Sequence, residues 1–78
     1  MKTPPETFRI YTPTSIGAAI RHFRQKNGLS QAELAHKANL HRSYLSAIEK
    51  GHDTEHVRRL FRILKQLGVR MNLEQASW

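Results

Sequence analysis

Four side chains between residues 42 and 50 are of the types that hydrogen-bond or pack against the edges of nucleobases. The guanidinium of Arg42 presents two parallel N–H groups that match O6 and N7 of guanine. Ser43 and Ser46 carry short hydroxyls that bond to several bases, and the methyl of Ala47 fits against that of thymine. We therefore predict that these four residues contact DNA bases.

Leu45 and Ile48 recur at helical spacing within the same segment, so the polar residues between them face outward. Taken alone, this pattern is more typical of the solvated face of an amphipathic helix. The capping box, the small residues facing inward, the tight turn and the basic charge together favour contacts with DNA instead. Four neighbouring residues have the polarity and position expected for contacts to phosphates, and one of them begins a helix with free backbone N–H groups. These predicted DNA-backbone contacts are Gln31, His41, Tyr44 and Lys50.

The elements that position these residues are two short helices joined by a tight turn. Ser30 and Glu33 have the spacing of a capping box, which predicts the start of the first helix. Asn39 tolerates a positive φ and predicts the turn, and we expect Leu40 to fill the core between the helices. Gly51 ends the second helix. Two helices joined so closely cross steeply, which is the geometry of major-groove readers.

A helix precedes this pair and another follows it. Thr12 and Pro13 predict the first start, and the stripe from Ile16 to Phe23 ends at Gly28. The fourth helix begins after Thr54 and ends at Gly68. From there the pattern changes to an alternation of apolar and polar residues, which predicts a strand over residues 69–74.

A single strand must find a partner, because one strand leaves its backbone groups unpaired. The alternatives are the N-terminal arm, another protein, or a second copy of the chain. We favour the second copy, since a chain of 78 residues buries only a small core by itself. The predicted dimerisation residues are Val69, Met71 and Leu73.

The composition points to a polyanionic partner. Thirteen basic and six acidic residues give a net charge of +7. The chain has no cysteine, which excludes disulfides and thiolate zinc sites. No apolar run is long enough for a membrane span or signal peptide, so we expect a cytoplasmic protein. Ser30 and His41 are the nearest approach to a catalytic pair, but Ser30 is needed as a cap. We expect neither enzymatic activity nor a cofactor or metal.

The region from Ile16 to Gly68 resembles the Cro/C1-type (XRE) helix-turn-helix family of phage repressors and bacterial regulators. The matching segments are Arg24, Gly28 to Gln31, Glu33 to Ala35, Ser43 to Ser46, Ile48 to Gly51 and Leu64 to Gly68. The resemblance implies a lambda-repressor-like bundle that binds operator DNA as a homodimer and is associated with the bacterial nucleoid. It also implies that Arg24 and Glu49 form an internal ion pair.

The strand after Gly68, the segment from Ile10 to Thr14 and the segment from Arg24 to Gly28 make the chain similar to the HipB type of antitoxin. This branch implies an autorepressor that also binds a HipA-like kinase toxin, with Trp78 as a possible toxin contact. Two alternatives stay open. One is a standalone phage-like repressor, and the other is an interaction module without DNA binding.

These observations divide the chain into four parts. Residues 1–11 form an N-terminal arm, residues 12–68 the helix-turn-helix domain, residues 69–74 the dimerisation strand and residues 75–78 a C-terminal tail. The predicted fold class is all-α with a short C-terminal strand.

Overall fold

The computed structural model of the chain describes residues 7–52 and 54–76. Its elements are, in order, β1 (Thr7–Ile10), α1 (Pro13–Lys26), α2 (Gln31–Lys37), α3 (Arg42–Glu49), α4 (Glu55–Leu67) and β2 (Met71–Glu74). The predicted all-α fold with a short C-terminal strand is confirmed, and β1 is added to it. Among the described residues, no helix has the length and apolar character needed to cross a membrane. The predictions for residues 1–6 and for Trp78 fall outside the described residues.

The helix starts are fixed by side chains that satisfy free backbone donors. Thr12 Oγ1 accepts a bond from the N–H of Ser15 at 3.2 Å, and Ser15 Oγ accepts one from the N–H of Thr12 at 2.9 Å. Ser30 Oγ accepts from the N–H of Glu33 at 3.0 Å, and Glu33 Oε1 accepts from the N–H of Ser30 at 2.9 Å. The predicted capping box at α2 is therefore present.

The turn between α2 and α3 is made by Asn39, which adopts a φ of 58° as predicted. The expectation that Leu40 fills the core is wrong, because its side chain is 46% exposed. Ala35 and Leu45 already fill the space between the two helices and are only 2% and 4% exposed. Leu40 therefore emerges at the surface of the turn.

Helices α1 and α3 cross with their backbones close together at Gly17. A Cβ added to Gly17 would overlap the carbonyl oxygen of Ile48 and lie 3.0 Å from that of Glu49. Gly17 and the neighbouring Ala19 are buried on the inner face of α1. The absence of a side chain at Gly17 thus allows α1 to pack directly against the C-terminal end of α3.

The two strands form an antiparallel sheet within the one chain. Phe8 pairs with Leu73, and Ile10 with Met71. These four residues share the less exposed face of the sheet, where the ring of Phe8 lies 5.4 Å from that of Phe23 on α1. Pairing with the arm, one of the open alternatives, therefore satisfies one edge of β2.

The favoured pairing of the strand with a second copy is not what the single chain shows, and it stays a prediction for the unpaired edge of the sheet. The predicted start of the strand is wrong. Val69 lies before β2, is 48% exposed, and donates its N–H to the carbonyl oxygen of Leu64 at 3.1 Å. This bond closes the end of α4 around Gly68, whose φ is 69°, and so delays the strand by two residues.

Helix α4 begins and ends as predicted but contains no buried residue. Val57, Phe61 and Leu64 are half-buried. Three other apolar residues, spaced along one side of α4, are largely exposed: Leu60 by 42%, Ile63 by 56% and Leu67 by 68%. We call these three residues the exposed stripe. The first three helices thus form a packed body, and α4 presents apolar surface to its surroundings.

Candidate nucleic-acid interface

The outer side of α3 carries the residues predicted to read bases. Leu45 and Glu49 are buried on its inner side. Arg42 and Ser43 are exposed near the start of the helix, whereas Ser46 and Ala47 are half-buried. The structure therefore brings the four predicted residues onto one short helix, with Arg42 and Ser43 the most accessible. In helix-turn-helix proteins, the N-terminal residues of the second helix are the ones that contact base edges in the major groove.

An ion pair fixes α3 to α1 from the inside. Arg24 Nε donates to Glu49 Oε2 at 2.7 Å, and Arg24 Nη2 donates to Glu49 Oε1 at 2.9 Å. Arg24 Nη1 also donates to the carbonyl oxygen of Leu29 at 2.8 Å, which ties down the connection before α2. The side chains of Arg24 and Glu49 are only 11% and 3% exposed. This bidentate pairing of Arg24 with Glu49 fixes the orientation of α3 and also neutralises the buried charge.

The same contacts shift the protonation equilibria of both partners. The hydrogen bonds from Arg24 hold the pKa of Glu49 below its ordinary value, although burial of the carboxyl opposes the shift. The hydrogen bond to Glu49 raises the pKa of Arg24 above its usual value. Both groups are therefore charged throughout the neutral range, and the pair persists there.

The side chain of Gln31, which was predicted to contact a DNA phosphate, is bonded inside the protein instead. Its side-chain Nε2 donates to Glu49 Oε1 at 3.2 Å, and the residue is half-buried. This bond contributes to the lowered pKa of Glu49. Gln31 thus links α2 to the ion pair between α1 and α3, and its backbone N–H is the group that remains at the start of the helix.

The other three predicted backbone contacts are exposed. His41 precedes α3 as its N-cap residue, and its side chain makes no capping hydrogen bond. Tyr44 is 56% exposed, and Lys50 lies at the end of the helix. Because His41 and Lys50 stand at opposite ends of α3, they flank the predicted base-contacting residues along its length. Such an arrangement is suited to phosphates on either side of a groove.

Sequence reasoning missed two residues that position this surface. Gly17 sets the distance between α1 and α3, and the carbonyl oxygen of Leu29 accepts a bond from Arg24. Gly17 could have been noticed as a glycine within a strong helical pattern. A glycine there destabilises a helix by about 1 kcal/mol relative to alanine, and no neighbouring residue explains its presence. No side-chain pattern signals a backbone acceptor such as that of Leu29.

Comparisons with known proteins agree on one family. Residues 20–73 match the sequence model of the helix-turn-helix family. This match includes α2 and α3 with the turn between them, and it extends through α4 into β2.

Three curated proteins are similar to most of the chain. Antitoxin HipB of Escherichia coli strain K12 is 35% identical over 69 residues, which cover 88% of this chain and 78% of that protein. Antitoxin HipB of Escherichia coli O6:H1 is also 35% identical over 69 residues, covering 88% and 73% respectively. An uncharacterized HTH-type transcriptional regulator of Sinorhizobium fredii, y4mF, is 32% identical over 65 residues and covers 83% and 86%.

Two solved structures are similar in fold and sequence. One is a complex of HipB with an O4 20mer, with a TM-score of 0.55 and 35% identity, covering 87% of this chain and 96% of that one. The other is a HipB variant with an O2 20mer, with the same TM-score and 37% identity, covering 87% and 94%.

Proposed function

Because the chain belongs to the helix-turn-helix family as an XRE/HipB-like member, we propose that it is a non-enzymatic, sequence-specific DNA-binding repressor. The observation that carries the proposal is the exposure of Arg42 and Ser43 on a helix locked in place from behind by the Arg24–Glu49 pair. A helix held by this ion pair, with an exposed arginine at its start, meets the requirement for bidentate recognition of guanine. The net charge of +7 favours association with DNA in general.

In this proposal the residues of α3 have two roles. Arg42 carries most of the base discrimination, and Ser43, Ser46 and Ala47 contact neighbouring base edges. The half-burial of Ser46 and Ala47 restricts them to bases that approach the helix closely. His41, Tyr44 and Lys50 contact phosphates, and at Gln31 the backbone N–H takes that role because the side chain is bonded to Glu49.

The finer proposal is that the chain is the antitoxin of a HipA/HipB-like operon, represses that operon as a homodimer and binds a HipA-like kinase toxin. The two relatives named Antitoxin HipB support it, because each aligns over most of its own length with this chain. The Sinorhizobium fredii relative is named only as a transcriptional regulator, so a standalone repressor is the second candidate.

DNA binding is tested by gel shift with a duplex from upstream of the chain's own coding sequence, over a series of salt concentrations. We expect affinity to fall steeply as salt rises, because counterions are released from each neutralised phosphate. Arg42→Ala should weaken binding by about 1–3 kcal/mol and relax the preference at one base pair per half-site.

The matched control for Arg42→Ala is Arg9→Ala, which removes the same charge from an exposed residue of β1. Binding that is insensitive to salt would contradict the DNA proposal. If both variants lost the same affinity for DNA and still discriminated between sequences, the base-reading role of Arg42 would be contradicted. The proposal of DNA binding would not be affected.

The antitoxin proposal is tested by co-expressing the chain with the product of the neighbouring gene and measuring the mass of the purified complex. A stable complex with a kinase-like protein supports the antitoxin. A neighbouring gene that encodes no such protein favours the standalone repressor, and the gel-shift result would be unaffected.

A further inference from the structure

Helices α2 and α3 are connected twice, once through the turn between them and once between their far ends. At the turn, Asn39 reverses the chain and the N–H of Leu40 donates to the carbonyl oxygen of Ala35 at 2.8 Å. At the far ends, Gln31 is the first residue of α2 and Glu49 is the last residue of α3. Nε2 of Gln31 donates to Oε1 of Glu49 at 3.2 Å. The two helices and this hydrogen bond therefore close a triangle.

The third side of this triangle limits the angle between the helices. At the rise per residue of an α-helix, the seven residues of α2 and the eight of α3 give sides of about 10 Å and about 12 Å. Because both lengths are fixed and the helices meet at the turn, the separation of their far ends depends on the angle at which they cross. A hydrogen bond between the far ends therefore restrains that angle.

Apolar packing restrains the start of α2 only weakly. Among the residues of α2, all of which the structure describes, only Ala35 is buried, and it contributes a single methyl group. Rotation of α2 about this one small contact moves the start of the helix with little loss of buried surface. Two polar contacts hold that end instead. One is the bond from Gln31 to Glu49, and the other is the bond from Arg24 to the carbonyl oxygen of Leu29 at 2.8 Å.

Stabilisation of Glu49 alone does not explain the Gln31 bond. Arg24 already donates to both carboxylate oxygens of Glu49, at 2.7 and 2.9 Å. The buried charge is therefore paired without Gln31, whose bond adds a link between two helices rather than a missing partner. Loss of this bond leaves the ion pair and the bond to Leu29 in place, so the chain should still fold.

We propose that Gln31 is a positioning residue for the DNA binding proposed above, on which this inference rests. By bonding to Glu49, it sets the angle between α2 and α3. This angle fixes the separation between a phosphate held by the backbone N–H groups at the start of α2 and a base read by Arg42. Gln31 thus contributes to discrimination between sequences without contacting a base.

The test compares Gln31→Met, which keeps a side chain of similar length but removes its donors, with the unaltered chain. Gel shifts measure the affinity for the duplex from upstream of the coding sequence and for a scrambled duplex of the same composition. We expect Gln31→Met to bind the upstream duplex about three- to tenfold more weakly, the equivalent of one hydrogen bond, and the scrambled duplex equally well. The matched control is Gln25→Met at an exposed position of α1, which should alter neither affinity.

Two further measurements connect the loss to the helix angle. Residual dipolar couplings of the backbone amides of α2 and α3 report their relative orientation in the free chain, and we expect it to change in Gln31→Met but not in Gln25→Met. In the double variant Gln31→Met/Arg42→Ala, removal of Gln31 should reduce discrimination little further, because it acts through the placement of Arg42. Circular dichroism checks that each variant is folded.

The outcomes separate this role from the proposed function. No binding of either duplex by the unaltered chain would contradict the proposed function and this inference with it. If the unaltered chain binds the upstream duplex selectively, three results would overturn the inference alone. Equal losses on both duplexes in Gln31→Met would assign its side chain to a phosphate. An unchanged orientation of α2 and α3 would show that other contacts set the angle. Additive losses of discrimination in the double variant would show that Gln31 and Arg42 act independently.

Discussion

Two glutamate–arginine ion pairs in this molecule differ in burial: one is enclosed between helices and the other is exposed to solvent. Glu49 and Arg24 are buried between α1 and α3, where Glu49 accepts two hydrogen bonds from Arg24 and one from Gln31. A third hydrogen bond from Arg24 goes to the carbonyl oxygen of Leu29. Glu55 and Arg59 lie one turn apart on α4, with side chains 65% and 57% exposed. The first pair joins three parts of the packed body, and the second joins two neighbours on one helix.

The apolar residues follow the same division. The body contains Ala19, Ala35 and Leu45, each at most 4% exposed, whereas α4 has no buried residue and carries the exposed stripe. The comparison indicates that α3, the candidate DNA-reading helix, is stabilised within one chain. Helix α4, in contrast, leaves the exposed stripe uncovered within the single chain, and apolar surface of this kind often marks an interaction site.

The largest expected difference between the regions comes from removing one glutamate of each pair. Glu49→Ala should lower the free energy of unfolding by about 3–5 kcal/mol, because Arg24 remains buried without its partner. Glu55→Ala should change it by no more than about 1 kcal/mol, since both charges stay hydrated. Urea denaturation of the two variants measures both values. Similar losses would refute the division between the regions.

A matched pair of leucines sharpens the comparison. Leu45→Ala should cost about 2–5 kcal/mol by leaving a cavity in the body. Leu60→Ala removes the same atoms from the exposed stripe and should change unfolding of the monomer by within about 0.5 kcal/mol. Dilute samples, in which association is negligible, give these values.

The Leu60→Ala variant also tests whether α4 takes part in dimerisation of the chain. If α4 is covered by a second copy, sedimentation at higher concentration should show weaker dimerisation than in the unaltered chain. Removal of residues 69–78 examines the predicted strand interface in the same measurement, and we expect a monomer. A truncated chain that still dimerises fully would assign the interface to α4 rather than to the strand.

Gly17→Ala is expected to change the free energy of unfolding by an intermediate amount, and the direction of the change tests how closely α1 and α3 pack. On an open helix this change stabilises by about 1 kcal/mol. Here the new methyl overlaps the backbone of α3, so we expect a loss of about 1–3 kcal/mol. Weaker DNA binding should accompany it, because α3 is displaced. A more stable variant in thermal unfolding would show that the helices separate easily at this crossing.

The smallest expected effect is the pH dependence of stability. Because the folded-state pKa of Glu49 lies below its unfolded value, the contribution of the pair is complete above the ordinary pKa of glutamate. It is lost as the pH falls through the lowered folded-state pKa. Glu33, whose pKa is lowered by its bonds to Ser30, acts in the same direction. Stability in Glu49→Gln should therefore decline less in acid, and an unchanged acid profile would exclude Glu49 as a cause.

Much of the fold follows from local chemistry that can be seen in the sequence. The caps at Thr12, Ser30 and Thr54 and the positive φ at Asn39 depend on neighbouring residues only, and all four were predicted. Leu40 and Val69 were misplaced for the opposite reason. The exposure of Leu40 depends on what already fills the space between α2 and α3, and the start of β2 depends on how α4 ends.

The sequence by itself determined the helix order, the caps, the outward side of α3 and the basic charge, because these depend on residue type and on spacing within one element. Only the tertiary structure decided that Gln31 bonds to Glu49, that Gly17 lets α1 approach α3, and that β2 pairs with the arm. Each of these contacts joins residues distant in sequence, and its geometry depends on the packing of whole helices and strands. The candidate DNA surface was therefore predictable, but the framework that holds it was visible only in the folded chain.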